Sequence, residues 1–364
     1  MTRLSTLCIA IAAIVPLAAT GVCADATQAT RMGYVVVTDY VAADGKADAA
    51  GAIQRLIEAN PNRTLWFPDG TYLLSKPICT PAQPQKSVDL QLSNYAILKA
   101  APGWTDAEAM VRLGGIHPAN DTRTPGSVYS MTGGIIDGSG VANGVSIDSG
   151  RETRVRLVSM KNVRVGLHIK RGANNGSSDA DIADVHIYGN GAKDSIGVLI
   201  EAHDNTLSNM RIAHVNTGVK LRGGGNLLTN IHPLFNGSKG SYGGTVGFAD
   251  FDSNNSYNRC YSDHFSTGWF FGAKSHIAYM DGCMCYWYAK TPGERQTAIR
   301  CEKRYNALSS KMWIGFTGKD NQTNSVICVG EAGGVGVLEN PHLNESMITE
   351  KECCYRNYLR GGVH

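Results

Sequence analysis

Charge is scarce in this sequence. Lys, Arg, Asp and Glu make up 18% of 364 residues, and 34 basic against 31 acidic side chains leave a formal charge of +3. So even a balance excludes a basic field over the whole chain, so nucleic acid is not an expected partner, and any preference for charged ligands must be local. Proline is scarce beside glycine, 12 against 42, which suits many tight turns and few helices. No stretch is rich enough in proline or serine to link two domains, so residues 25–364 read as one domain. The apolar run Leu7–Ala19 is too short for a membrane span, and no stop-transfer pattern follows it. With Arg3 before it and Val22-Cys23-Ala24 after it, Met1–Ala24 is expected to be an export signal cleaved after Ala24. The protein is then extracellular or periplasmic, with no stable membrane anchor.

Zinc-site spacing is also missing. Cleavage would leave Cys79, Cys260, Cys283, Cys285, Cys301, Cys328, Cys353 and Cys354, and neither Cys283-Met-Cys285 nor Cys353-Cys354 has the gaps or histidine partners of a zinc site. Buried thiols or a few disulfides of unreadable pairing are expected instead, with no metal held by cysteine.

What the sequence does contain is a recurring line of about one solenoid turn. Ile182–Ile187, Leu207–Leu221, Leu228–His232 and Tyr257–Phe271 share it. Each has a polar residue near its start (Asp184, Asn209, Asn230, Arg259), then an in-out alternation. A glycine, Gly197, Gly218, Gly247 or Gly268, then starts a second apolar strand. Such a unit cannot bury its apolar face alone; stacking buries it. Val185, Ile187, Met210, Ile212 and Ile231 should point inward, and His186, Arg211, His232 and Tyr261 outward. Asp184, Asn209 and Asn230 are expected to satisfy backbone groups at a turn. The pattern predicts an all-β, single-stranded parallel β-helix with loops inserted at Tyr188–Ile196 and Asn236–Val246. Regular coils run from about 130 to 290, strands return at Met312–Phe316 and Ser325–Val329, and a cap covers 340–364.

Upstream, Asp48 is a candidate N-cap for a helix over Ala49–Asn60, whose Ile53, Leu56 and Ile57 form an apolar stripe. A helix there would cover the open edge of the first coil. Asp39-Tyr40-Val41-Ala42-Ala43-Asp44-Gly45, Ala52-Ile53-Gln54, Trp66-Phe67-Pro68-Asp69-Gly70-Thr71-Tyr72 and Gly134-Ile-Ile-Asp-Gly-Ser-Gly140 complete the signature. They resemble the N-terminal motifs and the Gly-x-Ile-Asp-Gly-x-Gly strand of the pectate-lyase-like, right-handed β-helix superfamily. The match covers residues 34–76 and 134–140 closely, although Val41 replaces a glycine and the first turn is one residue shorter. The resemblance implies right-handedness, an N-terminal helical cap and a carbohydrate ligand. It leaves the chemistry open, since that superfamily holds lyases, hydrolases, epimerases and tailspikes.

Two outward stripes carry the candidate chemistry. The first is His186, Arg211, His232 and Tyr261. The second, just beyond the glycines, is His168, Lys170, Glu201, Lys220 and Arg222. Cations, imidazoles and an aromatic ring in register suit an acidic sugar chain, because arginine holds a carboxylate bidentately and a ring face stacks on a pyranose. The residues are those that β-elimination from a uronate needs: a neutraliser for the carboxylate (Arg222 or Arg211), a base (Lys220 or a histidine) and an acid (Tyr261). A low lysine pKa beside Arg222 would fit the base. His168 and Lys170 are placed with them as equivalents two coils earlier. The polygalacturonase motifs are missing: Asn216-Thr217-Gly218 lacks the aspartate, and no Asp-Asp or Gly-His-Gly occurs. The Asp-Pro-His-Glu of the alginate epimerases is missing too. Two alternatives stand beside the lyase: a glycoside hydrolase using Asp250, Asp252 or Glu201, and a glycan-binding or adhesion β-helix without catalysis. The aspartates of Asp179–Asp184 permit a calcium ion.

Overall fold

In the computed structural model the chain winds into a right-handed parallel β-helix. The described residues are 33–82, 86–116, 129–172, 177–236, 243–275, 277–287 and 297–302, with the backbone of 307–316, 327–329 and 336–339. The segment Met1–Ala24 and the tail beyond Asn340 lie outside them. Among the described residues no helix is long and apolar enough to cross a membrane.

One rung shows how the sequence builds all of them. Strand Thr206–Ala213 bends at Asn209, so its first half lies on one face and its second half on the next; Thr217–Leu221 forms the third face. A 19-stranded sheet wraps the first two faces and a 10-stranded sheet makes the third. Leu207, Met210, Ile212, Val219 and Leu221 alternate inward and are buried. Each meets its counterpart on the next rung: Met210 pairs with Ile231, Val198 with Val219, Val219 with Phe248, Phe248 with Trp269. The expected inward set, Val185, Ile187, Met210, Ile212 and Ile231, is buried throughout. Cys260, Cys283, Cys285 and Cys301 are buried thiols of the same interior.

The bend between the first two faces is a column of left-handed residues. Leu157, Asp184, Asn209, Asn230 and Arg259 have φ between 52° and 57°. Asparagine and aspartate tolerate this region better than other non-glycine residues, and Asn230 donates through Nδ2 to Asn209 Oδ1 at 3.0 Å. The polar residues near the start of each repeat are therefore corner pieces.

At the corner before the first face lies a second column that the repeat pattern did not reveal. Asn205 Nδ2 donates to Asn226 Oδ1 at 2.9 Å, and Asn226 Nδ2 donates to Asn255 Oδ1 at 3.0 Å. Each carbonyl oxygen also takes a backbone N–H from the preceding rung: Ala180 to Asn205, Asn205 to Asn226, Asn226 to Asn255. All three side chains are buried, and the column satisfies amides that a tight buried turn would otherwise leave open.

The glycines of the third face are required by close approach. A Cβ at Gly218 would lie 2.4 Å from both Gly247 O and Pro233 Cβ, and one at Gly197 would lie 2.3 Å from Ile212 Cγ2. The rungs are drawn together here across a narrow corner.

The cap helix spans Ala50–Ala59, with Ile53, Leu56 and Ile57 buried against the first coil. Asp48 sits one residue before the geometric cap, Ala49. Its Oδ1 accepts from Ala50 N at 3.1 Å and from Ser75 N at 3.0 Å, so it ties the helix start to the end of strand Gly70–Leu74. Gln54 is bound in both directions to Cys79, donating to its carbonyl at 3.2 Å and accepting from its N–H at 2.8 Å.

Candidate functional site

The second face carries the first outward stripe, with a groove at one of its corners. Its strands expose two rows of side chains, because every other residue points outward. One row runs Ser159, His186, Arg211 and His232. Tyr261 continues it, two residues before the Leu234–Asp263 pair. The other row runs Lys99, Asp137, Lys161, Tyr188, Ala213, Leu234 and Asp263. At the corner beside this row a groove of about 380 Å³ opens, lined by Lys99, Asp137, Asn162, Tyr188, Asn190 and His214 among others. The Tyr188 and His214 rings stack at its wall, 5.0 Å apart and 17° from parallel.

Arg211 stands exposed in the first row. Its Nη1 donates to the carbonyl of neighbouring Met210 at 3.2 Å, and it has no carboxylate partner among the described residues. In register on either side stand His186 and His232. His232 Nε2 is 3.4 Å from Asp263 Oδ2, and Asp263 is itself only 15% exposed at its side chain. Burial first, then the charge of Asp263, pushes the Tyr261 phenol well above its ordinary value. That hydroxyl therefore stays protonated and able to donate.

The second stripe lies on the third face, in the other sheet. The roles assigned from both stripes therefore fall on two sheets, Lys220 and Arg222 on the third face and Arg211, His232 and Tyr261 on the second. His168 does lie two coils before Lys220, through Leu199. Arg222 follows the end of strand Thr217–Leu221 rather than lying within it. Most charges here are consumed by one another. His168 Nε2 is 3.0 Å from Glu201 Oε2, and Arg222 Nη1 donates to Glu201 Oε1 at 3.3 Å. Although burial raises the Glu201 carboxyl, the His168 hydrogen bond and the nearby positive charges outweigh it and hold it below its ordinary value. Lys170 Nζ lies 2.5 Å from Glu108 Oε2 and 3.3 Å from Asp148 Oδ1, and Arg112 Nε donates to Asp148 Oδ2 at 2.8 Å. The Lys220 ammonium is also lowered from its ordinary value, by burial first and then by Arg222.

Two further expectations change. Asp250 is a core residue: its position on the third face is that of Leu221 and Phe271, and it is fully buried. Its Oδ2 accepts from Tyr257 Oη at 2.7 Å and its Oδ1 from Asn255 Nδ2 at 3.0 Å, so it is no hydrolase carboxylate. Two of the three aspartates of the calcium candidate are engaged in ion pairs, Asp179 with Arg151 and Asp181 with Arg156. Among the described residues no group of three or more His, Cys, Asp or Glu side chains converges to hold a metal.

Asp263 and Tyr188 were missed, and the signal was present. Each stands two residues beyond a named one, Tyr261 and His186, so the same alternation places it in the neighbouring row.

Comparison with known proteins agrees with this architecture. The model of the family described as rhamnogalacturonase A/epimerase, pectate lyase-like, matches residues 34–245. No curated protein matches the sequence. Among solved structures, an alginate lyase from Paenibacillus sp. str. FPU-7 is similar with a TM-score of 0.58 at 13% identity, over 78% of this chain and 96% of that one. A tailspike protein of E. coli bacteriophage HK620 gives 0.59 at 12% identity, over 87% and 69%. The ORF18 protein of Geobacillus virus E2 gives 0.60 at 15% identity, over 86% of this chain and 63% of that one, so this chain spans less than two thirds of the viral protein.

Proposed function

This chain belongs to the rhamnogalacturonase A/epimerase, pectate lyase-like family, and we propose that it is an exported enzyme that cleaves an acidic polysaccharide by β-elimination on its second face. One observation carries the reading: a guanidinium with no carboxylate partner among the described residues, Arg211, in register between two imidazoles, with Tyr261 stacked on the second of them. Arg211 binds and neutralises the uronate carboxylate, which acidifies the hydrogen on the adjacent carbon. His232, oriented by Asp263, takes that proton. The electron pair left behind forms the carbon–carbon double bond, the bond to the glycosidic oxygen breaks, and the Tyr261 hydroxyl protonates the leaving oxygen. Base and acid lie side by side, which favours uronates whose hydrogen and leaving oxygen share one face of the ring. The alginate lyase of the same fold and the tailspike solved with a bound pentasaccharide support a glycan ligand.

Hydrolysis finds less support. Asp137 and Asp263 are the carboxylates of the two rows among the described residues, and they stand five rungs apart. At a strand spacing of roughly 4.8 Å that is about 24 Å, well beyond the roughly 5 to 9.5 Å that glycoside hydrolysis uses. The stacked rings of Tyr188 with His214 and His232 with Tyr261 also suit a binder without catalysis, which is the second reading.

Incubation of the mature chain with polygalacturonate, alginate and other uronate polymers, followed by ultraviolet absorbance, tests the proposal. An absorbance rise lost in Arg211→Ala and His232→Ala is expected. Reducing ends without absorbance discard elimination, and loss in His168→Ala in place of His232→Ala moves the site to the third face. Polymer binding with no product from any substrate leaves the binder.

A further inference from the structure

The third face divides into two halves of different character. In the first half Arg112, Lys170, His168 and Arg222 are paired, through Glu108, Asp148 and Glu201. From Lys220 onward the outward row reads Lys220, Ala249, Phe270 and Arg300 on consecutive rungs, with Phe251 one rung above Lys220. Lys220 Nζ sits 5.6 Å from the centre of the Phe251 ring and Arg300 Cζ 5.8 Å from that of Phe270. The two rings are 5.5 Å apart and inclined by 56°. Neither Lys220 nor Arg300 has a carboxylate partner among the described residues, and both rings are partly exposed.

The placement is built into the backbone. A Cβ at Gly272 would lie 2.5 Å from Phe251 Cδ1, so the ring rests directly on the main chain of the following rung. Phe270 sits at an outward strand position, fixed by pairing with Ala249 on one side and Arg300 on the other. Two cations three rungs apart, roughly 14 Å at the spacing of neighbouring strands, thus bracket a pair of immobilised ring faces. Sugars bearing carboxylates match that order: ring on ring face in the middle, charge on charge at the ends.

We propose that Lys220, Phe251, Phe270 and Arg300 form a second, non-catalytic binding platform for an anionic polysaccharide, on a different face from Arg211 and His232. The proposal rests on the acidic-glycan reading above but needs no chemistry from it. A long chain held on both faces gains apparent affinity because the second contact is intramolecular. A short oligosaccharide gains none.

The test is retention of the full mature chain in native gels containing alginate or polygalacturonate. Four proteins are compared: the unmodified chain, Arg211→Gln, Phe270→Ala with Arg300→Gln, and all three changes together. Melting curves confirm that each is folded. The platform predicts that Arg211→Gln still binds polymer and that Phe270→Ala with Arg300→Gln weakens binding roughly fivefold or more, given the usual worth of exposed charge and cation–ring contacts. Binding should fall further in the triple variant. Unchanged retention in the Phe270 and Arg300 variant overturns the platform and leaves the catalytic reading standing. Complete loss in Arg211→Gln alone also overturns it, since one face then carries all the binding. An unmodified chain retained by no acidic polymer overturns both.

Discussion

His232 lies flat against Tyr261, the ring centroids 4.2 Å apart and the planes 16° from parallel. They occupy consecutive rungs at the same outward position, and Asp263 approaches His232 from the row beside them. Stacking fixes the phenol next to the imidazole, so under the proposed elimination the proton acceptor and donor would stand on one side of the sugar. Tyr261→Phe keeps the ring and removes the donor. Its kcat should fall by roughly a hundredfold or more, the usual worth of a general acid, with KM little changed. Tyr261→Ala should raise KM as well. If Tyr261→Phe retains full turnover, the acid is another group.

Gly218 is held against Gly247 and Pro233, and an added methyl has nowhere to go. Gly218→Ala should destabilise the chain by about 1–3 kcal/mol, as overpacking does elsewhere. Denaturant unfolding measures it. Gly103, whose Cβ would meet nothing within 4 Å, has φ +83° and would suffer backbone strain without a clash. Gly103→Ala is therefore expected to cost less.

Asn226 is the central piece of the buried asparagine column. Asn226→Ala would strip the acceptor from both Asn205 N and Asn205 Nδ2. Each buried donor left open costs about 1–3 kcal/mol, so a loss of several kcal/mol is expected, seen as a lower midpoint in chemical denaturation. A wild-type midpoint in this variant would mean that water replaces the amide.

Asp250 connects pH to stability. Burial pushes its carboxyl up to about 7, despite hydrogen bonds from Tyr257, Asp252 N and Asn255 that pull it down. The folded pKa exceeds the unfolded value of about 3.9, so the protonated form is the one that folding favours. Its contribution is complete below about pH 4 and is lost as pH rises towards 7. At roughly 1.4 kcal/mol per pKa unit, the loss is about 4 kcal/mol. Asp250→Asn, which keeps the shape and cannot ionise, should be more stable at neutral pH and should flatten unfolding free energy between pH 4 and 7. An equal pH dependence in both proteins would refute this.

The repeat of alternating residues was enough to place Met210 and Ile231 inside and Arg211 and His232 outside, because a strand's side chains alternate with period two whatever surrounds it. Gly197 and Gly218 marked the third face and Asp184, Asn209 and Asn230 a corner, since these residue types are the ones that close contacts and left-handed turns accept. The helical cap was equally local, from Ile53 to Ile57. Tertiary structure decided the rest. Whether Lys220 and Arg211 share a cleft depends on the angle between two sheets, which is set by how a rung closes. By sequence Asp250 is a candidate hydrolase carboxylate with Asp252, yet its place in the rung points it inward to Tyr257 and Asn255. The pairing of Glu201 with His168 and Arg222, and the absence of a carboxylate partner for Arg211 among the described residues, are contacts across rungs more than twenty residues apart, or the lack of them. One-dimensional spacing tells which residues point outward, and only the stacking of rungs tells which of them are already answered by a neighbour.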